Sequence, residues 1–188
     1  MADQRLSGVL LVGGASTRFG SPKALARLGG ETLAERGWRV LGEACDERLA
    51  VGKARDGLPL PFPLVDDGTE VRAALAGLVA GLRAAANDVV VFLPVDNVGM
   101  DAPGLRALAA ECRDAAVPPT GPLPGAYRRR ALPLLERRLA ARELRLRDAV
   151  AELDAAVVGL DSALLVNVNE PGDLGSWIGR SSSSVRTK

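Results

Sequence analysis

Residues 10–23 hold the side chains best suited to chemistry, in the order Leu-Leu-Val-Gly-Gly-Ala-Ser-Thr-Arg-Phe-Gly-Ser-Pro-Lys. An apolar run that includes Leu11 and Val12 stops at two adjacent glycines. Gly13 and Gly14 lack a Cβ atom, so the backbone can approach a ligand closely. Donor and cationic side chains follow at short spacing, namely Ser16, Thr17, Arg18 and Lys23. Such a set suits phosphate oxygens, so the stretch predicts a strand that leads into a polyphosphate-binding loop.

Two further strand ends carry carboxylates. Residues 89–93 form an unbroken apolar run, typical of a strand buried on both faces of a parallel sheet, and Asp96 follows it. A second apolar run ends at Asp66 and Asp67. A carboxylate at a buried strand end is costly unless it is compensated, and Mg²⁺, which favours carboxylate and phosphate oxygens, is a natural partner for Asp96. A solvated or helix-capping aspartate is the alternative at each position.

Alternating strands and helices must position these groups. Apolar runs predict strands at 9–12, 48–51, 60–65 and 89–93, with weaker candidates at 157–158 and 164–166. Helical spacing predicts helices that begin near Thr32, Val71 and Asp101, and others over 131–142, over 146–153 and up to about Ile178. The alternation predicts an α/β fold, a three-layer α/β/α sandwich around a mostly parallel, Rossmann-like sheet. Its ligand would lie beyond the carboxyl ends of the strands, where the three candidate segments meet.

The composition excludes several classes of protein. The chain has 188 residues, no histidine, a formal net charge of +1 and 3% aromatic residues. Without histidine, serine–histidine and cysteine–histidine hydrolases are excluded, so catalysis must rest on carboxylates, cations, hydroxyls or a bound metal. The charge and the scarce aromatics argue against a nucleic-acid partner, and no apolar run approaches the ~20 residues of a membrane span. We expect no membrane association and a cytoplasmic location.

A single domain is expected over residues 1–178, followed by a serine-rich tail, 179–188, that is predicted to be disordered. Prolines and glycines between 118 and 125 predict an irregular loop of the kind that covers a site. Cys45 and Cys112 lie far apart among apolar residues, which predicts buried, reduced thiols rather than a disulfide.

Common phosphate loops do not fit the glycine stretch. The Walker pattern needs Gly-Lys-Ser/Thr in succession, and the dinucleotide pattern needs Gly-x-Gly-x-x-Gly. The stretch instead resembles the signature Leu-x-Gly-Gly-x-Ser-x-Arg-Met-Gly-x-x-Lys of the MobA-like nucleotidyltransferases of molybdenum cofactor biosynthesis. Matches fall at Leu11, Gly13, Gly14, Ser16, Arg18, Gly20 and Lys23, with Phe19 where methionine is usual. Pro-x-Asp at Asp96, Gly-x-Tyr-Arg around Tyr127 and Asn-x-Asn at 167–169 extend the resemblance over nearly the whole chain.

The resemblance implies an enzyme that transfers a nucleoside monophosphate to the terminal phosphate of a pterin cofactor, molybdopterin, and releases pyrophosphate. It implies catalytic roles for Arg18, Lys23 and Asp96. It implies nucleotide contacts from Leu11, Val12, Gly13, Gly14, Ser16, Lys23, Asp67 and Asp96. It implies Mg²⁺ as the cofactor, held by Asp96, with the Asn169 amide at the metal or its water shell, although Asn169 also suits a helix cap. Asp67 is favoured over Asp66 by register alone.

The glycine pair in this family goes with guanine rather than cytosine, so GTP is the expected donor. Contact with a molybdoenzyme or a chaperone is a further partner expectation. Two departures stand out, because Ala73 and Ala74 replace a Gly-Pro pair and Val98 replaces a proline. The alternatives are therefore a related nucleotidyltransferase that uses CTP or a sugar or alcohol phosphate, and an inactive nucleotide-binding homologue.

A cluster of basic side chains has no settled role from sequence. It comprises Arg128, Arg129, Arg130, Arg137, Arg138, Arg142, Arg145 and Arg147. A solvated helix face accounts for most of them. One or two, beside the proline-rich loop, could hold an anionic acceptor.

Overall fold

A computed structural model describes residues 5–13, 22–170 and 172–173. The strands are β1 Leu6–Leu11, β2 Arg27–Leu28, β3 Glu31–Thr32, β4 Glu47–Gly52, β5 Leu64–Asp66, β6 Val89–Pro94, β7 Ala115–Val117, β8 Gly125–Arg128 and β9 Ala155–Val157. The helices are α1 Leu33–Ala44, α2 Ala74–Ala84, α3 Ala102–Ala110, α4 Leu132–Ala140 and α5 Leu146–Ala151. Short 3₁₀ helices span Lys23–Leu25, Ala54–Asp56, Arg129–Ala131 and Ser162–Leu165.

Among the described residues, seven strands form the main sheet in the order β5-β4-β1-β6-β8-β7-β9. The pairs β5-β4, β4-β1, β1-β6 and β7-β9 are parallel, whereas β8 runs antiparallel to both β6 and β7. The carboxyl ends of β5, β4, β1 and β6 therefore lie along one edge of the sheet. A two-stranded antiparallel ribbon, β2-β3, stands apart from it.

Helices cover both faces of the sheet, which confirms the three-layer α/β prediction. α1 and α3 pack on one face, while α2, α4 and α5 pack on the other. Residues of β6 alternate between the two cores, with Val91 and Leu93 in one and Val90 and Phe92 in the other. Because both faces are buried, this strand reads as a continuous apolar run.

Local signals place the helix starts. Thr32 caps α1 through a reciprocal pair with Glu35, in which its hydroxyl accepts from the Glu35 N–H at 3.1 Å. The Asp101 carboxylate caps α3 by accepting from the Gly104 N–H at 2.8 Å. These two starts confirm the sequence prediction. α2 begins at Ala74, three residues later than predicted, and no side chain caps it.

Several predicted elements are wrong in extent or type. The strand expected over 60–65 is confined to 64–66, because Pro61 and Pro63 lack the N–H that a sheet ladder uses. The weak strand expected at 164–166 is a 3₁₀ turn, in which Asp161 accepts from the Ala163 N–H at 2.9 Å. β7 and β8 fall where no strand was predicted. The helix expected to end near Ile178 and the tail 179–188 lie outside the described residues.

In the part of the chain that the structure describes, no helix combines the length and the apolar character needed to cross a bilayer.

Candidate active site

A cavity of about 320 Å³ opens where β5, β4, β1 and β6 end. Six residues predicted from sequence line it, namely Leu11, Val12, Gly13, Lys23, Asp67 and Asp96. Gly77 of α2 lies in the same wall, and a Cβ there would come within 2.7 Å of the Leu11 side chain, so glycine lets the helix lie close to the strand. The strand-end rule therefore places three separate segments of the sequence around one space.

Lys23 lies in the cavity wall with Gly13 and contacts Asp96 there. It begins a 3₁₀ turn after Pro22, and the next residue, Ala24, is buried in the core. Its ammonium donates to Asp96 Oδ2 at 3.1 Å and to Asn169 Oδ1 at 3.3 Å. The side chains of Lys23 and Asp96 are 17% and 28% exposed, so water reaches the pair from the cavity side.

The segment that carries Asn169 is tied to the loop after β6. Val98 N–H donates to Val166 O at 3.0 Å, and Val168 N–H donates to Asp96 O at 2.8 Å. Gly99 packs so tightly that a Cβ there would lie 2.0 Å from the Ala163 carbonyl oxygen. Val98 thus uses an N–H that a proline would lack, which gives the departure at this position a structural role.

A buried ion pair lines the opposite end of the cavity, and its lysine was missed by the sequence analysis. The Lys53 ammonium donates to both oxygens of Asp67, at 2.8 and 2.9 Å. It also donates to the Thr69 carbonyl oxygen at 2.5 Å. A lysine that directly follows one strand, with an aspartate directly after the next strand, is the signal that could have revealed it.

Asp66 and Asp67 have different places. Asp66 is not among the residues that line the cavity, and its carboxylate accepts from the Ala54 N–H at 2.6 Å and the Gly68 N–H at 2.7 Å. These backbone bonds hold the pKa of Asp66 below its ordinary value. Asp66 therefore shapes the loop, whereas Asp67 faces the cavity, as its register predicted.

Arg72, Ala73 and Ala74 form the rim next to Asp67. The Arg72 guanidinium grips Asp56 with two bonds, at 2.6 and 3.0 Å, and holds the pKa of Asp56 below its ordinary value. Arg72 therefore pairs with Asp56, a carboxylate that does not line the cavity.

The remaining candidates fall into two groups. Gly14, Ser16 and Arg18 lie outside the described residues. Several arginines of the basic cluster pair with carboxylates instead: Arg128 with Asp88, Arg130 with Asp114, Arg137 with Glu152, and Arg138 with Glu143 and Glu152. Within the described part of the chain, none of the eight lines the cavity.

Two side-chain oxygens that could bind a metal ion meet at the Lys23 ammonium. Asp96 and Asn169 both direct an oxygen at the Lys23 ammonium, and carboxylate and amide oxygens are ligands that Mg²⁺ accepts. The described residues contain no group of three or more cysteine, aspartate or glutamate side chains able to hold a metal alone. Two protein oxygens fit Mg²⁺ that arrives with phosphate ligands, so the residues present suit the expected ion.

The fold and the cavity together define an α/β protein with a ligand site at the carboxyl ends of its parallel strands. In fold it is similar to the molybdopterin-guanine dinucleotide biosynthesis protein A of Archaeoglobus fulgidus, with a TM-score of 0.80 and 21% identity over 94% of this chain and 99% of that one. The model of the MobA-like NTP transferase domain matches residues 8–157, and the chain belongs to this family.

Two relatives are similar along most of their length. A protein of Deinococcus radiodurans, named as a probable molybdenum cofactor guanylyltransferase, is 37% identical and aligns with 96% of this chain and 97% of its own. A protein of Chloroflexus aggregans with the same name is 34% identical over 90% of this chain and 91% of its own. The resemblance noted from the sequence motifs is therefore confirmed at the level of the family.

Proposed function

We propose that this chain transfers GMP from GTP to the terminal phosphate of molybdopterin, releases pyrophosphate and depends on Mg²⁺. The names of the two relatives support the donor and the acceptor. The observation that carries the proposal is the meeting of Lys23, Asp96 and Asn169 beside the glycine end of β1, because this arrangement suits a triphosphate and its counter-ion.

The chemistry asks little of a protein base. The acceptor is already a phosphate anion, so its oxygen attacks the α-phosphorus as a new P–O bond forms and the bond to the β-phosphate oxygen breaks. Pyrophosphate leaves with the electron pair, and no proton has to be removed. A chain without histidine can therefore catalyse the step by positioning and by neutralising charge.

Each residue then has a stated task. Lys23 exchanges its bonds to Asp96 and Asn169 for the phosphate oxygens of the nucleotide, and Arg18 adds positive charge to the same oxygens. Asp96 and Asn169 would hold Mg²⁺, which when bound neutralises charge on the phosphates. The nucleotide contacts are assigned to Leu11, Val12, Gly13, Gly14, Ser16, Lys23, Asp67 and Asp96.

Release of pyrophosphate from each of the four NTPs, measured with Mg²⁺ and molybdopterin, tests the proposal. We expect release with GTP, little with the other three, and none after EDTA. Lys23→Ala and Asp96→Ala should each lower turnover by about 10² or more, while Arg113→Ala, a surface change outside the cavity lining, should not. No release with any NTP would refute transfer, and preferred release with CTP would refute the assigned base.

A further inference from the structure

Lys53 is a buried cation to which the proposed reaction assigns no task. It is 4% exposed, and among the described residues it joins Ser7 and Asn97 as the buried polar side chains. A buried ammonium is costly unless every N–H finds an acceptor. A buried lysine in the wall of a ligand cavity must therefore have its charge compensated by neighbouring groups.

The three N–H bonds of the ammonium match three acceptors. Two are the oxygens of Asp67, at 2.8 and 2.9 Å, and the third is the Thr69 carbonyl oxygen. Lysine has three donors and no acceptor, so this arrangement leaves none for a ligand. Lys53 acts on the cavity through Asp67.

The carboxylate is held on several sides. Asp67 Oδ1 also accepts from the Thr69 N–H at 3.2 Å, and the Asp67 N–H donates to the Gly52 carbonyl oxygen at 2.9 Å. A carboxylate offers about four lone-pair sites, so Oδ2 keeps capacity for a further donor. The pair arises from register, because Gly52 lies opposite Asp66 in the parallel β4–β5 ladder and the next residues, Lys53 and Asp67, come side by side.

Strand order sets the distance of the pair from the phosphate end. Asp96 follows β6 and Asp67 follows β5, and β1 and β4 lie between them. Three strand spacings amount to about 14 Å, so with the phosphates at Asp96, as proposed above, a carboxylate at Asp67 would lie at the nucleoside end of the nucleotide. Ribose hydroxyls and guanine N–H groups are the donors available there.

On the basis of the function proposed above, we propose that Lys53 is a positioning residue for nucleoside recognition, which fixes the Asp67 carboxylate so that it accepts hydrogen bonds from the ribose hydroxyls or from the guanine N–H groups. Partners that orient metal ligands typically cost ten- to a hundredfold in metal affinity or activity when replaced, and we expect the same scale for a partner that orients Asp67. Lys53→Gln should therefore weaken GTP binding by about ten- to a hundredfold.

Binding of GTP, dGTP, ITP and inorganic tripolyphosphate is measured by calorimetry on the full chain, with thermal unfolding as a check on folding. Lys53→Gln should leave tripolyphosphate binding unchanged, and Lys53→Arg should recover part of the GTP affinity. Arg55→Gln, which removes a neighbouring exposed charge outside the cavity lining, is the matched control. Weaker wild-type binding of dGTP than of GTP would assign the Asp67 contact to the ribose, and weaker binding of ITP would assign it to the base. Lys53→Gln should abolish whichever difference in affinity is observed.

A double-mutant cycle separates positioning from direct contact. If Lys53 acts only through Asp67, the variant with both Lys53→Gln and Asp67→Asn binds GTP as weakly as Asp67→Asn alone. Fully additive losses, an equal loss of tripolyphosphate affinity, or equal wild-type binding of GTP, dGTP and ITP would each overturn the inference. GTP binding with these ratios but without transfer to molybdopterin would refute the proposed function and leave the role of Lys53 standing.

Discussion

Replacing Lys23 with methionine should have opposite effects on cation binding and on turnover. The ammonium lies 3.1 Å from Asp96 Oδ2, and an ion bound to that oxygen would sit about 2.1 Å from it, so the two positive charges would be no more than about 5 Å apart. At that distance a divalent ion and an ammonium repel by about 2 kcal/mol in a water-like dielectric, which suits a pair that is 17% and 28% exposed.

An energy of about 2 kcal/mol would correspond to about thirtyfold in affinity, and a lysine side chain can turn aside to relieve part of it. We therefore expect Lys23→Met to bind Mn²⁺ about tenfold more tightly than wild type in the absence of nucleotide. Turnover should fall by about 10²–10³, because a donor to the phosphate oxygens is lost. Lys23→Arg keeps the charge and should keep weak Mn²⁺ binding.

Electron paramagnetic resonance of free Mn²⁺ during titration measures the affinity directly, and pyrophosphate release measures turnover. Asp96→Asn in the Lys23→Met background should remove the gain, because the ligand itself is weakened. Equal or weaker Mn²⁺ binding by Lys23→Met would show that the ammonium does not compete for this position, and the reasoning would fail.

Two other substitutions and one chemical test probe separate features. Asp96→Asn should lower turnover by about 10² or more with little change in the thermal midpoint, because its side chain faces the cavity, and near-normal pyrophosphate release would contradict its role. Gly99→Ala places a Cβ 2.0 Å from the Ala163 oxygen and should lower the free energy of unfolding by about 1–3 kcal/mol in urea, so unchanged stability would contradict the close packing. Burial raises the pKa of Cys45 to about 12 and that of Cys112 to about 11, so both stay protonated at pH 8 and should react with a disulfide reagent only after unfolding; rapid reaction of the native protein would contradict this.

The site residues that could be predicted are those that follow an apolar strand. Gly13 and Asp96 each follow a continuous apolar run, and in a parallel sheet such ends share one edge, so their meeting follows from the pattern alone. Asp67 was favoured over Asp66 only through its register in the resemblance, because alternation along a strand does not say which of two adjacent side chains faces the cavity.

Other features depend on contacts that no local pattern encodes. A lysine in a loop after a strand is ordinarily exposed, so the local sequence gives no sign that Lys53 is buried. Only the register of β4 against β5 places it beside a carboxylate. β8 is a four-residue strand that follows a proline-rich loop, so its pairing with β6 comes from tertiary packing rather than from hydrophobic period. Residues 164–166 are apolar, so their pattern suggested a strand. The Asp161 side chain instead caps a 3₁₀ turn over Ser162–Leu165.

The segment that braces Asp96 lies far from it in the sequence, at residues 166–169. The glycine end of β1 and the loop after β6 are synthesised first, yet Val98 and the Asp96 carbonyl wait for Val166 and Val168 to supply their backbone partners. A chain truncated before residue 166 keeps the glycine end of β1 but lacks Asn169 and the backbone bonds to Val98 and Asp96. If Asp96 and Asn169 act as proposed, such a chain should release no pyrophosphate from GTP, and release at the full rate would show that these backbone bonds are not needed.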